Sequence, residues 1–138
     1  MRKIPKKFKL VARLLITVSA LSISTPSFAD NSYYYQLYAA SDYNYCDAKL
    51  LAFAWGDTPS EGKIAIGRKI AGGSQQSIGS IIQSGRDAGG ACVWQDLSHS
   101  YSDAVTLGQA WGVSPSQAKA KAATYYTNGQ SQIVLNAL

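Results

Sequence analysis

The chain has 138 residues, 46% of them hydrophobic, and its thirteen lysines and arginines against eight aspartates and glutamates give a formal charge of +5. Six of those basic residues, Arg2, Lys3, Lys6, Lys7, Lys9 and Arg13, lie near the amino terminus, so residues 30–138 keep seven basic against eight acidic residues, a balance of −1. A near-neutral body lacks the basic footprint on which nucleic-acid binding rests, and two cysteines with one histidine fall short of the four ligands of a structural zinc site.

In chain order, the first segment reads as a signal peptide over residues 1–29. A basic stretch ending at Arg13 is followed by an uncharged, mostly apolar run from Leu14 to Ile23, and Ser27 and Ala29 supply small residues three and one before a cut. The run is too short for a hydrocarbon core, which takes about 20 apolar residues, so cleavage after Ala29 is expected rather than a retained anchor. The expected product is exported, without membrane attachment, to the periplasm or beyond the cell.

Next comes a tyrosine-rich flank: six of the nine tyrosines lie between Tyr33 and Tyr45. Tyr33 to Tyr38 is the one stretch with the aromatic density of a strand. The rings either pack over neighbouring helices with their hydroxyls at the wet edge or form an exposed platform for a sugar or a partner protein. Packing is favoured, because aromatic bulk more often fills cores than sites.

Helical signals take over from Tyr45. Ala48, Leu51, Ala52 and Trp55 recur at the spacing of one apolar helix face, which places Trp55, and likewise Trp111 at the end of the matching helix, in the core, and Gly56 marks a helix end. Thr58, Pro59 and Glu61 then form a capping box with proline at the first helical position. This second helix runs to Gly72–Gly73, and a third follows with Ile78, Ile81 and Ile82 on its apolar face.

The pattern then recurs at a spacing of 56 residues without a gap. Tyr45 to Lys63 lies over Tyr101 to Lys119 with ten of nineteen positions identical, including both Trp-Gly and both Pro-Ser pairs. Tyr38 falls on Trp94, Tyr43 on His99, and Ile78, Ile81 and Ile82 on Val134, Ala137 and Leu138. The repeat spans nearly all of the expected mature chain. The fold expected is all-α: two tandem three-helix units packed into one domain, the first over residues 30–88 with the tyrosine flank, the second over 89–138. Cys46 and Cys92, an even pair in a small exported domain, are expected to form one disulfide, which stabilises by roughly 4 kcal/mol in the chain-entropy model.

Leu107 to Lys119, and more loosely its counterpart in the first unit, resembles the helix-turn-helix of bacterial DNA-binding proteins: a helix ending at Trp111–Gly112, then a capped second helix. The resemblance is local. The positions it implies for a recognition helix, Pro115, Ser116, Gln117, Lys119 and Lys121, are only mildly basic, and export removes access to the chromosome. The geometry is retained as an expectation and nucleic-acid binding is not.

No phosphate-binding or dinucleotide-binding glycine motif occurs, and no cofactor is expected. His99 lies among Ser98, Ser100, Ser102, Asp96 and Asp103, so a hydrolytic triad can be written on paper, yet such triads draw their members from separate elements. The residues kept in both copies carry more weight. Asp47 and Asp103 open helices, where a carboxylate meets the positive dipole end. Lys63 and Lys119 sit in the first turns of the second helices with no capping role, each at the margin of an apolar face. Either their stems pack on the nearby tryptophan, or they form a duplicated cationic contact for an acidic partner.

The candidate binding residues are therefore Tyr38, Tyr45 and Lys63 in the first unit with Trp94, Tyr101 and Lys119 in the second, in a groove between the units. The function expected is non-enzymatic binding of another protein outside the cytoplasm, as an inhibitor, immunity factor or assembly accessory. A glycan- or cell-wall-binding module using the aromatic residues is the alternative, and a small hydrolase built on His99 is a third reading. The intact mass of the exported protein is expected to match a chain beginning at Asp30 with Cys46 and Cys92 oxidised; retention of Lys3 to Arg13, or two alkylatable thiols, contradicts this.

Overall fold

The computed structural model describes residues 31–138, and the signal peptide expected over 1–29 lies outside the described residues. Four helices come first: α1 (Asn31–Ala39), α2 (Tyr45–Trp55), α3 (Pro59–Ala71) and α4 (Ile78–Asp87), the last entered through a 3-10 turn at Gln75–Ser77. A second 3-10 turn, Trp94–Asp96, then leads into α5 (Tyr101–Trp111), α6 (Pro115–Thr127) and α7 (Ser131–Leu135). No strand occurs among the described residues.

The local chemistry repeats with the sequence. Both ends of α5 and of α6 lie 56 residues after those of α2 and α3. Asn44 and Ser100 cap α2 and α5: each side chain accepts from the amide of Asp47 or Asp103, whose carboxylate accepts in return from the cap's own backbone amide. Thr58 with Glu61, and Ser114 with Gln117, do the same for α3 and α6. Each closed box satisfies two otherwise free amides at a helix start. Gly56 and Gly112 end α2 and α5 in the left-handed conformation at φ 73° and 65°, which a side chain adopts only with strain.

The tyrosine flank is a helix, against the strand-like density of Tyr33 to Tyr38. With no strand nearby to pair with, its backbone groups find partners only within the segment itself, which a helix provides. The helix packs on α3 at backbone contact: a Cβ on Gly67 would come within 2.1 Å of the Tyr34 carbonyl oxygen.

Helix α2 holds the molecule together. Cys46, Ala48, Leu50, Leu51 and Ala52 are each no more than 1% exposed, because α3, α4 and α6 all pack around this one helix. Gly62 of α3 meets the Ala48 carbonyl, and Gly85 of α4 meets the Leu50 carbonyl. One core results, joining Leu50, Leu51, Ile66 and Ile78 of the first unit to Leu107, Ala118, Ala122 and Val134 of the second. Short-range ties reinforce the junction. Cys46 and Cys92 form a buried disulfide with Cα atoms 5.7 Å apart, Lys49 pairs with Asp96 at 2.7 Å, the Cys92 amide donates to the Thr127 hydroxyl, and the Arg86 guanidinium donates to the Thr127 carbonyl.

The two units differ where their surroundings differ. Trp55 is not core: it is 49% exposed, whereas Trp111 is half-buried against the core. The cause lies one helix away. In the second unit Tyr125 packs edge-on against Trp111, and its counterpart in the first unit is Lys69, whose ammonium lies over Trp55 and leaves the ring at the surface. The third helices also diverge, since α7 stops at Leu135 and only Val134 of the three expected apolar positions is fully buried, with Leu138 exposed.

Gly85 therefore sets how closely α2 and α4 approach. A Cβ there would sit 1.9 Å from the Leu50 carbonyl oxygen, while one on Gly79 of the same helix meets nothing within 4 Å. Gly85→Ala is expected to cost about 1–3 kcal/mol, as overpacked cores do. Gly79→Ala is expected to gain about 0.5–1 kcal/mol from helix propensity. Urea unfolding of the two variants checks the contrast.

Candidate functional site

The six residues singled out from the repeat assemble into two equivalent groups of three. In the first unit the Lys63 ammonium lies 4.9 Å from the centre of the Tyr45 ring and 5.7 Å from that of Tyr38. In the second, Lys119 lies 5.0 Å from Tyr101 and 5.9 Å from Trp94. Each lysine projects from the first turns of α3 or α6 between a ring that opens the preceding helix and one from the segment before it. These rings, and not Trp55 or Trp111, are the aromatic neighbours of the two lysines. A cation placed over a ring face gains about 0.5–1 kcal/mol at exposed sites.

The pattern extends beyond those six. Arg68 lies 5.3 Å from the Tyr34 ring, Lys69 lies 5.8 Å from Trp55, and Lys121 lies 5.0 Å from Trp111. All five cations of α3 and α6 thus rest on aromatic rings, and among the described residues none is within 4.0 Å of a carboxylate. Four carboxylates are instead committed to backbone amides, Asp47, Glu61 and Asp103 at helix caps and Asp96 at the Val93 amide.

The environments of the two groups differ. A cleft of about 620 Å³ opens between the units. Tyr38, Tyr45 and Lys63 form one side; Gln95, Ser98 and Leu135 of the second unit form the other. Lys119, Trp94 and Tyr101 do not line it, and Tyr101 is 66% exposed. The inter-unit groove expected near both lysines is therefore built on Lys63 alone. A second cleft of about 370 Å³ lies beside Trp55, Ile64 and Arg68.

Burial separates the two cap carboxylates as well. Burial raises the Asp47 carboxyl above the ordinary aspartate range, against the opposing pull of the Asn44 amide and of Arg86. The Asp103 carboxyl is lowered by hydrogen bonds from the Ser100 amide and hydroxyl and by nearby His99. The Tyr38 hydroxyl is pushed up to about 12 by burial, with the Asp47 and Tyr45 charges adding to the effect. It therefore stays protonated and able to donate.

His99 is engaged elsewhere than a triad requires. Its Nε2 lies 2.9 Å from the Tyr126 hydroxyl and its Nδ1 lies 3.7 Å from Asp103. Asp96 pairs with Lys49, and the Ser100 hydroxyl accepts from the Asp103 amide. No hydrogen bond joins His99 to Ser98, Ser100 or Ser102, so the arrangement written from sequence is not assembled. Among the described residues no group of three or more His, Cys, Asp or Glu side chains is placed to hold a metal ion.

Sequence reasoning missed Arg86, which reaches from α4 to the end of α6, and the Asn44 cap. Only the second had a signal, an asparagine three residues before Asp47. Comparison with family models, curated proteins and solved structures returned no match.

The two cap carboxylates are expected to respond oppositely to pH. A carboxyl lowered in the folded state contributes stability above its unfolded pKa and loses it as pH falls through the folded value; a raised one contributes on the acid side and loses it as pH rises. Asp103→Asn should thus lower the melting temperature at neutral pH and match the parent below about pH 2, where both states are protonated. Asp47→Asn, which retains an oxygen for the Asn44 amide, should leave the neutral-pH value unchanged or raise it. Thermal melts across pH decide, and equal losses from both variants at neutral pH refute the assignment.

Proposed function

We propose that the chain is exported by way of residues 1–29 and acts outside the cytoplasm as a non-enzymatic module that binds an acidic face of another protein, in the manner of an inhibitor, immunity factor or assembly accessory. The observation that carries this reading is the set of five cations on α3 and α6 resting on aromatic rings without a carboxylate partner. Aromatic and arginine side chains dominate the energetics of protein interfaces, and a cation already held over a ring loses less freedom on binding than a free one. A partner carboxylate supplies the opposite charge that the chain itself leaves out. The buried disulfide suits an oxidising compartment, and no described helix is long and apolar enough to cross a membrane.

Glycan binding is the second reading, favoured by the exposure of Tyr101 at 66% and Trp55 at 49%. Against it, each of these rings already has a lysine ammonium over it, which competes with stacking of a sugar.

The test is capture from the extracytoplasmic fraction with the mature chain as bait, beside Lys63→Glu/Lys119→Glu and Lys69→Glu/Lys121→Glu variants and an immobilised glycan panel. The parent is expected to retain a protein that both reversal variants lose at least tenfold, with loss worsened by salt. Retention of glycans in place of protein, or capture indifferent to charge reversal, refutes the reading.

A further inference from the structure

We infer that the cleft between the two units is a carboxylate pocket in which Lys63 is the cation, receiving an acidic side chain or a free chain terminus. The inference rests on the acidic-partner reading above and narrows it to one site and one chemical group.

Lys63 is half-buried at the cleft wall and lacks a carboxylate within 4.0 Å. The rings of Tyr45 and Tyr38, which line the same wall, lie 4.9 and 5.7 Å from its ammonium. A ring face offers a cation attraction but no hydrogen-bond acceptor of a carboxylate's strength. The three N–H donors of the ammonium therefore retain capacity for a carboxylate entering the cleft that Lys63 lines.

The cleft adds further donors. The hydroxyls of Ser98 and Ser131 and the amide of Gln95 belong to lining residues, and the phenol of Tyr38 stays protonated through the physiological range. Leu97 and Leu135 give it an apolar side. Of its two acidic residues, Asp96 is neutralised by Lys49 at 2.7 Å. Asp42 is exposed and lines the cleft as the one carboxylate there without an ion-pair partner. A volume of about 620 Å³ matches a ligand site of roughly 300–1,000 Å³, large enough for a few residues of a peptide.

Lys119 supplies an internal control. It makes the same double ring contact in the second unit, yet it does not line the cleft. A property of the lysine–ring group as such belongs to both lysines; a property of the pocket belongs to Lys63 alone.

Three N-acetylated alanine-rich hexapeptides separate the two carboxylate sources: one with a free C-terminus and no acidic side chain, one amidated with a central glutamate, and one amidated with glutamine in its place. Each is titrated into the oxidised mature protein, read by amide-resolved nuclear magnetic resonance. Shifts are expected at Tyr45, Lys63 and Gln95 to Ser98 with one or both carboxylate peptides, and not with the third. Lys63→Gln should weaken binding at least tenfold with a dispersed spectrum retained, Lys119→Gln should not change it, and Asp42→Asn should tighten it severalfold by removing a like charge from the pocket. Binding equal for all three peptides, shifts away from the cleft, indifference to Lys63→Gln, or weakening by Asp42→Asn each overturns the pocket. None of these results alters the outcome of the charge-reversal capture, which fails or stands by itself.

Discussion

The architecture depends on how closely helices approach α2. At Gly62 and Gly85 the neighbouring helices reach its backbone carbonyls directly, with Ala48 and Ala52 presenting small side chains at the first of these crossings. Close approach lets helices of 10–13 residues bury a continuous face that none could maintain alone. It also places Cys46, at the start of α2, beside Cys92 in the link between units, with Cα atoms 5.7 Å apart. The disulfide therefore closes a contact that helix packing has already made.

The second unit solves the same crossing with its small residues exchanged. Where the first has Gly62 on α3 and Ala52 on α2, the second has Ala118 on α6 and Gly108 on α5, so glycine and alanine change places between the two helices. The outer face of the leading helix diverges further. Leu50 and Phe53 of α2 stand where α5 has Thr106 and Gln109, both exposed. Leu50 is buried under the ten-residue α4; α5 presents polar residues and has only the five-residue α7 following in its unit. Substitution on one helix thus matches shortening of another. The two cap aspartates shift in opposite directions, because burial dominates at the inner cap and hydrogen bonds from Ser100 dominate at the outer one.

Much of this was legible because the repeat marks helix ends with side-chain chemistry. The capped starts at Thr58 and Ser114, and the stops at Gly56 and Gly112, are local decisions written within four residues. Other features are settled at a distance. The tyrosine flank finds its packing partner at Gly67, more than thirty residues on. Trp55 is exposed because position 69 is lysine where position 125 is tyrosine, a choice invisible to the periodicity that placed both tryptophans on apolar faces. The candidate site divides the same way. Recurrence in both copies marked its six members, but the grouping of each lysine with two rings follows from helix crossings, and the cleft at Lys63 from the docking of one unit on the other.

Residues 30–138 carry seven basic against eight acidic residues, yet five of the cations gather on two helices. Exposed like charges repel through a screened solvent, and the usual remedy is a nearby carboxylate. Here carboxylates serve the helix starts, where they answer free amides, and aromatic rings hold the cations of α3 and α6. A ring attracts a cation while leaving its formal charge uncompensated, so the positive potential at each lysine persists toward solvent. A salt bridge would have cancelled it. The fold confines one such lysine to a cleft while leaving its twin outside it.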